Sequence, residues 1–351
     1  MTIMSLKKER RKEVEDAVIL AIGTNKKNKP LNQKEIADKS GLSTQSISRI
    51  IKNLEQSGRV LKKKDGRYNI YSLPEKEISV KYSLDGLKED EVYSTHVADF
   101  IHDVPKCAKN NFSYAFLEIL NNAIEHSNGT EVIILIKRSE LMLEFCIKDD
   151  GVGVFTKVAE SLNLSKKRYA ILELAKGKFT SDPTSHSGEG IFFSSKCGDQ
   201  FTLESDGIIF YANPSAEILL DKHAETEKYT GTLALFTIKM DHQQTMEELF
   251  KQYTDMPERY GFSKTAIPIR LLEYGDKSPI FISRSQARRL LARVERFEVV
   301  TLDFSGIESI GQGFADEIFR VFKTKYPDVT LTPVNCSDTV NQMIEHVLAY
   351  K

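Results

Sequence analysis

Cysteine is scarce in this sequence. The four residues Cys107, Cys146, Cys197 and Cys336 stand far apart in 351, with no CxxC and no neighbouring histidine pair. That excludes a zinc site of the usual spacing and a disulfide framework, and leaves reduced core cysteines. No uninterrupted apolar run approaches the ~20 residues that cross a bilayer. The opening MTIMSLKKERRKE lacks the apolar core of a signal peptide, so a cytoplasmic protein with no membrane partner is expected. Charge of one sign is also missing: 49 Lys/Arg meet 50 Asp/Glu, a net of −1, which argues against a uniformly basic nucleic-acid coat or an acidic tail. There is no GxxxxGK[ST], so a P-loop mechanism is excluded.

The balanced total conceals a division. Residues 1–74 hold 17 Lys/Arg and 8 Asp/Glu, and the remainder 32 and 42, so the amino-terminal end is basic and the rest acidic. In the basic part, residues 7–22 read as a charged helix with Val14, Ala17, Val18 and Ala21 at three- and four-residue spacing. Gln33–Ser40 is a second helix with Ile36 and Ala37 inward, Gly41 supplies a tight turn, and Ser43 caps a third helix running to about Ser57. RVLKKKDGRYNIYSL then alternates around Asp65-Gly66, a dipeptide that favours a tight hairpin. Helix-turn-helix followed by hairpin is the order of a winged helix, in which the second helix enters the major groove. Its leading residues here are Ser43, Thr44, Gln45, Ser46 and Arg49, short or hydrogen-bonding groups suited to base edges, while Lys62, Lys63, Lys64 and Arg67 offer cations to phosphates. Over about residues 10–74 the segment resembles winged helix-turn-helix domains of bacterial transcription regulators, which implies a double-stranded DNA partner. A winged helix that binds protein is the alternative.

Beyond Pro74 a new domain is expected. FLEILNNAIEHSNGT is an amphipathic helix with Phe116, Ile119, Leu120 and Ala123 on its buried face, and it places Glu118 and Asn122 one turn apart. A carboxylate and an amide oxygen so arranged can position a water and a hard cation such as magnesium. Strands at Glu131–Lys137 and Leu141–Lys148 lead into Asp149-Asp150-Gly151-Val152-Gly153, where a carboxylate at a strand end can accept from an exocyclic amine and glycines let backbone approach a ligand. Ser187-Gly188-Glu189-Gly190-Ile191 offers backbone N–H groups to phosphate oxygens. In this order the three motifs resemble the boxes of the GHKL ATPase superfamily, the Bergerat fold of sensor histidine kinases, gyrase B, MutL and anti-sigma kinases. The resemblance spans about residues 77–240, including the closing strand GTLALFTIKM. It implies that ATP is the ligand, that Glu118 polarises the attacking water or hydroxyl, that Asn122 binds Mg²⁺ and that Asp149 recognises the adenine amine. Gly151 and Gly153 would pack against the base, and Gly188 and Gly190 would follow the lid over the phosphates. Three positions after Asn122, where kinase-type boxes often carry a basic residue, this chain has Glu125, followed by His126 as in anti-sigma kinases. No HExxR phosphoacceptor precedes the domain, so neither His96 nor His102 is expected to accept phosphate.

From about Ser263 strand and helix alternate: a strand at Phe281–Ser283, a helix Gln286–Arg296, a strand Val299–Phe304, a helix Phe314–Lys325 and a strand Val329–Pro333. The stretch LDFSGIESIGQGFADEIF resembles the strand, loop and helix of STAS-like anti-sigma antagonists. Gly311, Gln312 and Gly313 stand where switched antagonists present a phosphorylatable serine, so a protein-interaction or dimerisation domain is expected, with Phe314 as an anchor and the glycines admitting a partner's backbone. The whole is thus read as a multidomain α/β chain: a winged helix (1–74), an α/β sandwich of the Bergerat fold (77–240) and a small STAS-like domain (258–351). It would be a regulator that couples Mg-ATP to DNA binding, with a protein partner or a homodimer reached through the third domain. A serine/threonine protein kinase of the anti-sigma type, or an ATPase effector with a protein-binding winged helix, are the alternatives.

Overall fold

The computed structural model describes residues 3–24, 30–178, 188–214, 216–221, 230–254, 262–272 and 281–349. The chain divides into two compact units. One comprises residues 1–79 with Leu135–Glu144 and Lys239–Asp241, and the other holds the remainder. No described helix is long and apolar enough to cross a membrane.

The first unit contains α1 (Ile3–Gly23), β1 (Leu31–Asn32), α2 (Gln33–Ser40), α3 (Thr44–Gln56), β2 (Leu61–Asp65) and β3 (Tyr68–Ser72). Local chemistry sets the helix bounds. The Asn32 side chain accepts from the N–H groups of Lys34 and Glu35, each at 3.0 Å, and Glu35 accepts from the Asn32 N–H in return, satisfying donors that the first turn leaves open. Gly41 ends α2 at φ 69°, and Ser43 Oγ accepts from Ser46 N to start α3. Ile47, Ile50, Ile51 and Leu54 recur at helical spacing, so one face of α3 meets Val18, Ile22, Ile36 and Tyr71 in a common core. The sheet order is β1-β3-β2. Asp65 pairs with Tyr68, so Gly66-Arg67, rather than Asp65-Gly66, forms the two-residue connection. Gly66 takes φ 57° at its first central position, the place where type II′ turns need glycine. Arg59 joins Glu15, at 3.2 Å, and Glu140.

One seven-stranded sheet has the order β4-β5-β6-β10-β7-β8-β9. In chain order its region comprises β4 (Lys76–Ser83), α4 (Glu89–Val92) continued by a π-helical turn Tyr93–Val97, α5 (Lys106–His126), β5 (Glu131–Arg138) and β6 (Met142–Asp149). There follow α6 (Val154–Ser161), α7 (Tyr169–Lys176), α8 (Gly190–Ser194), β7 (Gln200–Ser205), β8 (Ile208–Asn213), β9 (Ala216–Asp221), β10 (Leu233–Lys239) and α9 (Met246–Tyr253). Strict alternation along β6 buries Leu143, Phe145 and Ile147. Phe145 packs with Phe112 and Phe116 of α5 and Phe236 of β10 at centroid separations of 5.4, 5.6 and 5.2 Å. Asp149 falls in phase with this apolar set and is therefore buried.

The carboxy-terminal segment is a three-stranded parallel sheet in the order β11 (Lys264–Pro268), β12 (Val299–Asp303), β13 (Thr330–Val334). Parallel neighbours require crossovers, which α10 (Arg284–Leu291) and α11 (Gln312–Asp316) supply. α11 runs on through a π-helical turn Glu317–Phe322 into Lys323–Lys325, and α12 (Asp338–Ala349) closes the segment. The expected strand at Phe281–Ser283 is only a bridge between Phe281 and Ile310. The expected helix to Arg296 stops at Leu291, because Arg293 adopts φ 66° before a short 3₁₀ turn at Val294–Arg296. Within the second unit this segment is tied to α7. The buried Lys176 ammonium donates to Glu173 Oε1 at 2.7 Å, Ala292 O at 2.8 Å and Arg289 O at 3.3 Å. It thus caps the carbonyl end of α10, with Glu173 as the counter-charge that a buried cation needs. Thr265 Oγ donates to Lys176 O at 2.7 Å, and Phe262 bridges Phe192 and Phe297.

Candidate functional site

The second unit contains a cavity of about 320 Å³ whose wall joins three distant stretches of sequence. α5 supplies Glu118, Asn122 and His126, one turn apart along a single face, and the end of β6 with the loop after it supplies Asp149 and Gly153. Gly188, Glu189 and Gly190 come from the start of α8. Five of the residues singled out in sequence for a ligand, Asn122, Asp149, Gly153, Gly188 and Gly190, thus line one cavity together with Glu118. Gly151 stands behind the wall. An added Cβ there would lie 2.2 Å from Ser127 O, so glycine lets the loop close on the end of α5. At Gly190 a Cβ would lie 2.2 Å from Glu118 Oε2, so the third motif packs directly on the first, and a side chain there would displace the Glu118 carboxylate.

Asp149 and Asp150 differ sharply. Asp149 is 5% exposed, and its Oδ1 accepts from Gly151 N at 2.9 Å and Thr232 N at 3.2 Å. Burial pushes its carboxyl up, and those two backbone donors oppose the shift. Asp150 accepts instead from the Thr130 hydroxyl at 2.6 Å and from the N–H groups of Thr130 and Glu131 at 2.7 and 2.9 Å. The hydroxyl bond foremost holds its carboxyl down at about 2. Asn122 Nδ2 donates to Glu118 O at 2.7 Å, which fixes the amide and leaves its oxygen as the atom suited to a cation.

Several wall residues escaped the sequence reading. His126 continues the four-residue spacing of Glu118 and Asn122, a signal that was available. Thr232 opens the GTLALFTIKM strand, and its Oγ accepts from Val154 N at 3.0 Å. Lys157 and Leu174 also line the cavity. Burial lowers the Lys157 ammonium, and its Nζ donates to His126 O, the carbonyl end of α5. No short motif announces these contributions.

In the first unit Thr44, Gln45, Arg49, Lys62, Lys63, Lys64 and Arg67 are all exposed, Ser43 serves as the helix cap, and Ser46 Oγ lies 2.9 Å from Ser43 Oγ. The hairpin register divides the lysines: Lys62 opposes Tyr71 and Lys64 opposes Asn69 on one face, whereas Lys63 opposes Ile70 on the other. In the carboxy-terminal segment Gln312 is exposed, but its flanking glycines admit the chain's own backbone rather than a partner's. Gly311 N donates to Phe281 O at 2.7 Å, and a Cβ at Gly311 would lie 2.8 Å from Ile282 Cα. Phe314 is 0% exposed and belongs to the core, so it offers no anchor. His96 meets the Tyr82 hydroxyl at 2.6 Å, and His102 is exposed.

Two family models match parts of the chain, a STAS-like domain of unknown function (DUF4325) over residues 286–341 and a domain of unknown function (DUF7343) over residues 25–74. No curated protein matches.

Proposed function

We propose that the chain is an ATP-binding, DNA-binding regulator. Residues 77–240 act as a GHKL domain that holds Mg-ATP, residues 1–74 act as a winged helix on duplex DNA, and the STAS-like segment transmits nucleotide state. The observation that carries this reading is the convergence of Glu118, Asn122, Asp149, Gly153, Gly188 and Gly190 on one cavity from three separated stretches. Asp149 would accept from the adenine amine with a carboxylate already fixed by backbone donors. Asn122 would hold magnesium, which supplies charge neutralisation to the triphosphate, and Glu118 would orient a water or hydroxyl. The tie from Lys176 and Glu173 to α10 supports transmission, because α7 also contributes Leu174 to the cavity. Gln45 and Arg49 would read base edges, and the lysines of the hairpin would meet phosphates.

Calorimetric titration with ATP and magnesium tests the site. Asp149→Asn turns a hydrogen bond to a charged group, worth about 1.5–3 kcal/mol, into a neutral one worth about 0.5–1.5 kcal/mol, so affinity falls about 5- to 10-fold. Unchanged affinity in the variant contradicts the adenine assignment.

A further inference from the structure

The cavity presents three carboxylates, Glu118, Asp149 and Glu189, to a ligand proposed to carry several negative charges. A side-chain cation would add to a bound metal and to the backbone N–H groups of the glycine motif, and the sequence places none three residues after Asn122. Residues 118–126, EILNNAIEH, contain no Lys or Arg, and neither do residues 179–191, FTSDPTSHSGEGI. Lys178, which precedes the latter stretch, is committed elsewhere, donating to Arg296 O at 3.0 Å beside the Phe297 ring. Among the described residues that line the cavity, Lys157 is the one lysine or arginine.

Its placement suits an anion. α6 carries Lys157 one turn after Gly153, so the side chain enters the wall from the loop that follows Asp149. Nζ donates to His126 O, which anchors the ammonium at the carbonyl end of α5 and occupies one of its three protons. The remaining donors belong to a half-buried cation, for which an anionic partner replaces hydration most effectively. We propose that Lys157 is the phosphate-binding cation of this cavity, taking the part that a basic residue three positions after Asn122 would otherwise play.

This assignment rests on the ATP reading, and one experiment separates the two. Adenosine and Mg-ATP are titrated against the full chain, the wild type, Lys157→Gln and Lys157→Arg, with thermal melting as the check on folding. A phosphate contact predicts that Lys157→Gln loses about 10- to 100-fold for Mg-ATP, the worth of one charge-assisted hydrogen bond, while adenosine binds as before. Lys157→Arg keeps the cation and most of the affinity. Equal loss for both ligands would show that Lys157 only shapes the pocket through His126, and no loss for either would show that phosphate lies elsewhere. Each of those outcomes overturns the proposal while leaving ATP binding intact. A wild-type chain that binds neither ligand overturns the ATP reading and this inference with it.

Discussion

Asp149 and Asp150 are adjacent carboxylates whose surroundings assign them separate work. Asp149 lies in phase with Leu143, Phe145 and Ile147, a polar residue at a core register position, and that conflict with the apolar pattern is visible in the sequence. Asp150 points the other way and ties β6 to Thr130 and Glu131. Its carboxyl is lowered to about 2, so its stabilising contribution is present above the ordinary aspartate range and fades as pH falls toward 2. Asp150→Ala should therefore melt below the wild type at pH 7, by an amount that shrinks on acidification until the two coincide near pH 2. A difference that persists unchanged at low pH contradicts the role given to its charge. Lys157 stands one turn after Gly153 on α6, a helix that the sequence reading did not follow, whereas Thr232 was hidden from the sequence because it reaches the site from a distant strand. His126 shows the opposite case, since its spacing from Asn122 is local.

At the scale of elements, what was legible followed from short-range chemistry. Gly41 and Ser43 mark the end of α2 and the start of α3, the Ile47-Ile50-Ile51-Leu54 periodicity marks the buried face of α3, and α5 carries its motif on helical spacing. What was not legible depended on tertiary neighbours. Gly66 rather than Asp65 takes the positive φ because the strand register sets the turn, and the strand read at Phe281 reduces to one bridge because, among the described residues, it pairs with Ile310 alone. The tie between α7 and α10 also lay outside the local pattern, because it uses main-chain carbonyls as acceptors for Lys176. Burial lowers the Lys176 ammonium, and Glu173 opposes that shift. Glu173→Gln would leave a buried cation without its counter-charge, at a cost of about 3–5 kcal/mol. Denaturant melts should show this deficit at neutral pH. It should shrink as pH rises toward the free-lysine range, where losing the proton removes the uncompensated charge. The double change Glu173→Leu with Lys176→Met should cost less than Glu173→Gln alone, and a larger loss would show that the pair contributes packing rather than charge balance.

At the scale of the molecule, the segregation of charge sets the expected behaviour. Under the proposed function, the basic excess of residues 1–74 beside the acidic excess of the remainder would confine phosphate contacts to residues 1–74, and the salt dependence of duplex binding would report their number. A regulator of this design requires that nucleotide bind the two DNA-binding states unequally, since a ligand with equal affinity for both shifts nothing. The most direct measurement is duplex DNA binding by the full chain at low salt, with and without Mg-ATP, for the wild type and Asp149→Asn. Mg-ATP should shift the wild-type affinity for duplex by about 5- to 150-fold, the usual range of coupling between two sites, and at an Mg-ATP concentration that just saturates the wild type Asp149→Asn should bind DNA with a much smaller shift. A wild-type chain that ignores duplex DNA, or binds it equally with and without Mg-ATP, contradicts this account.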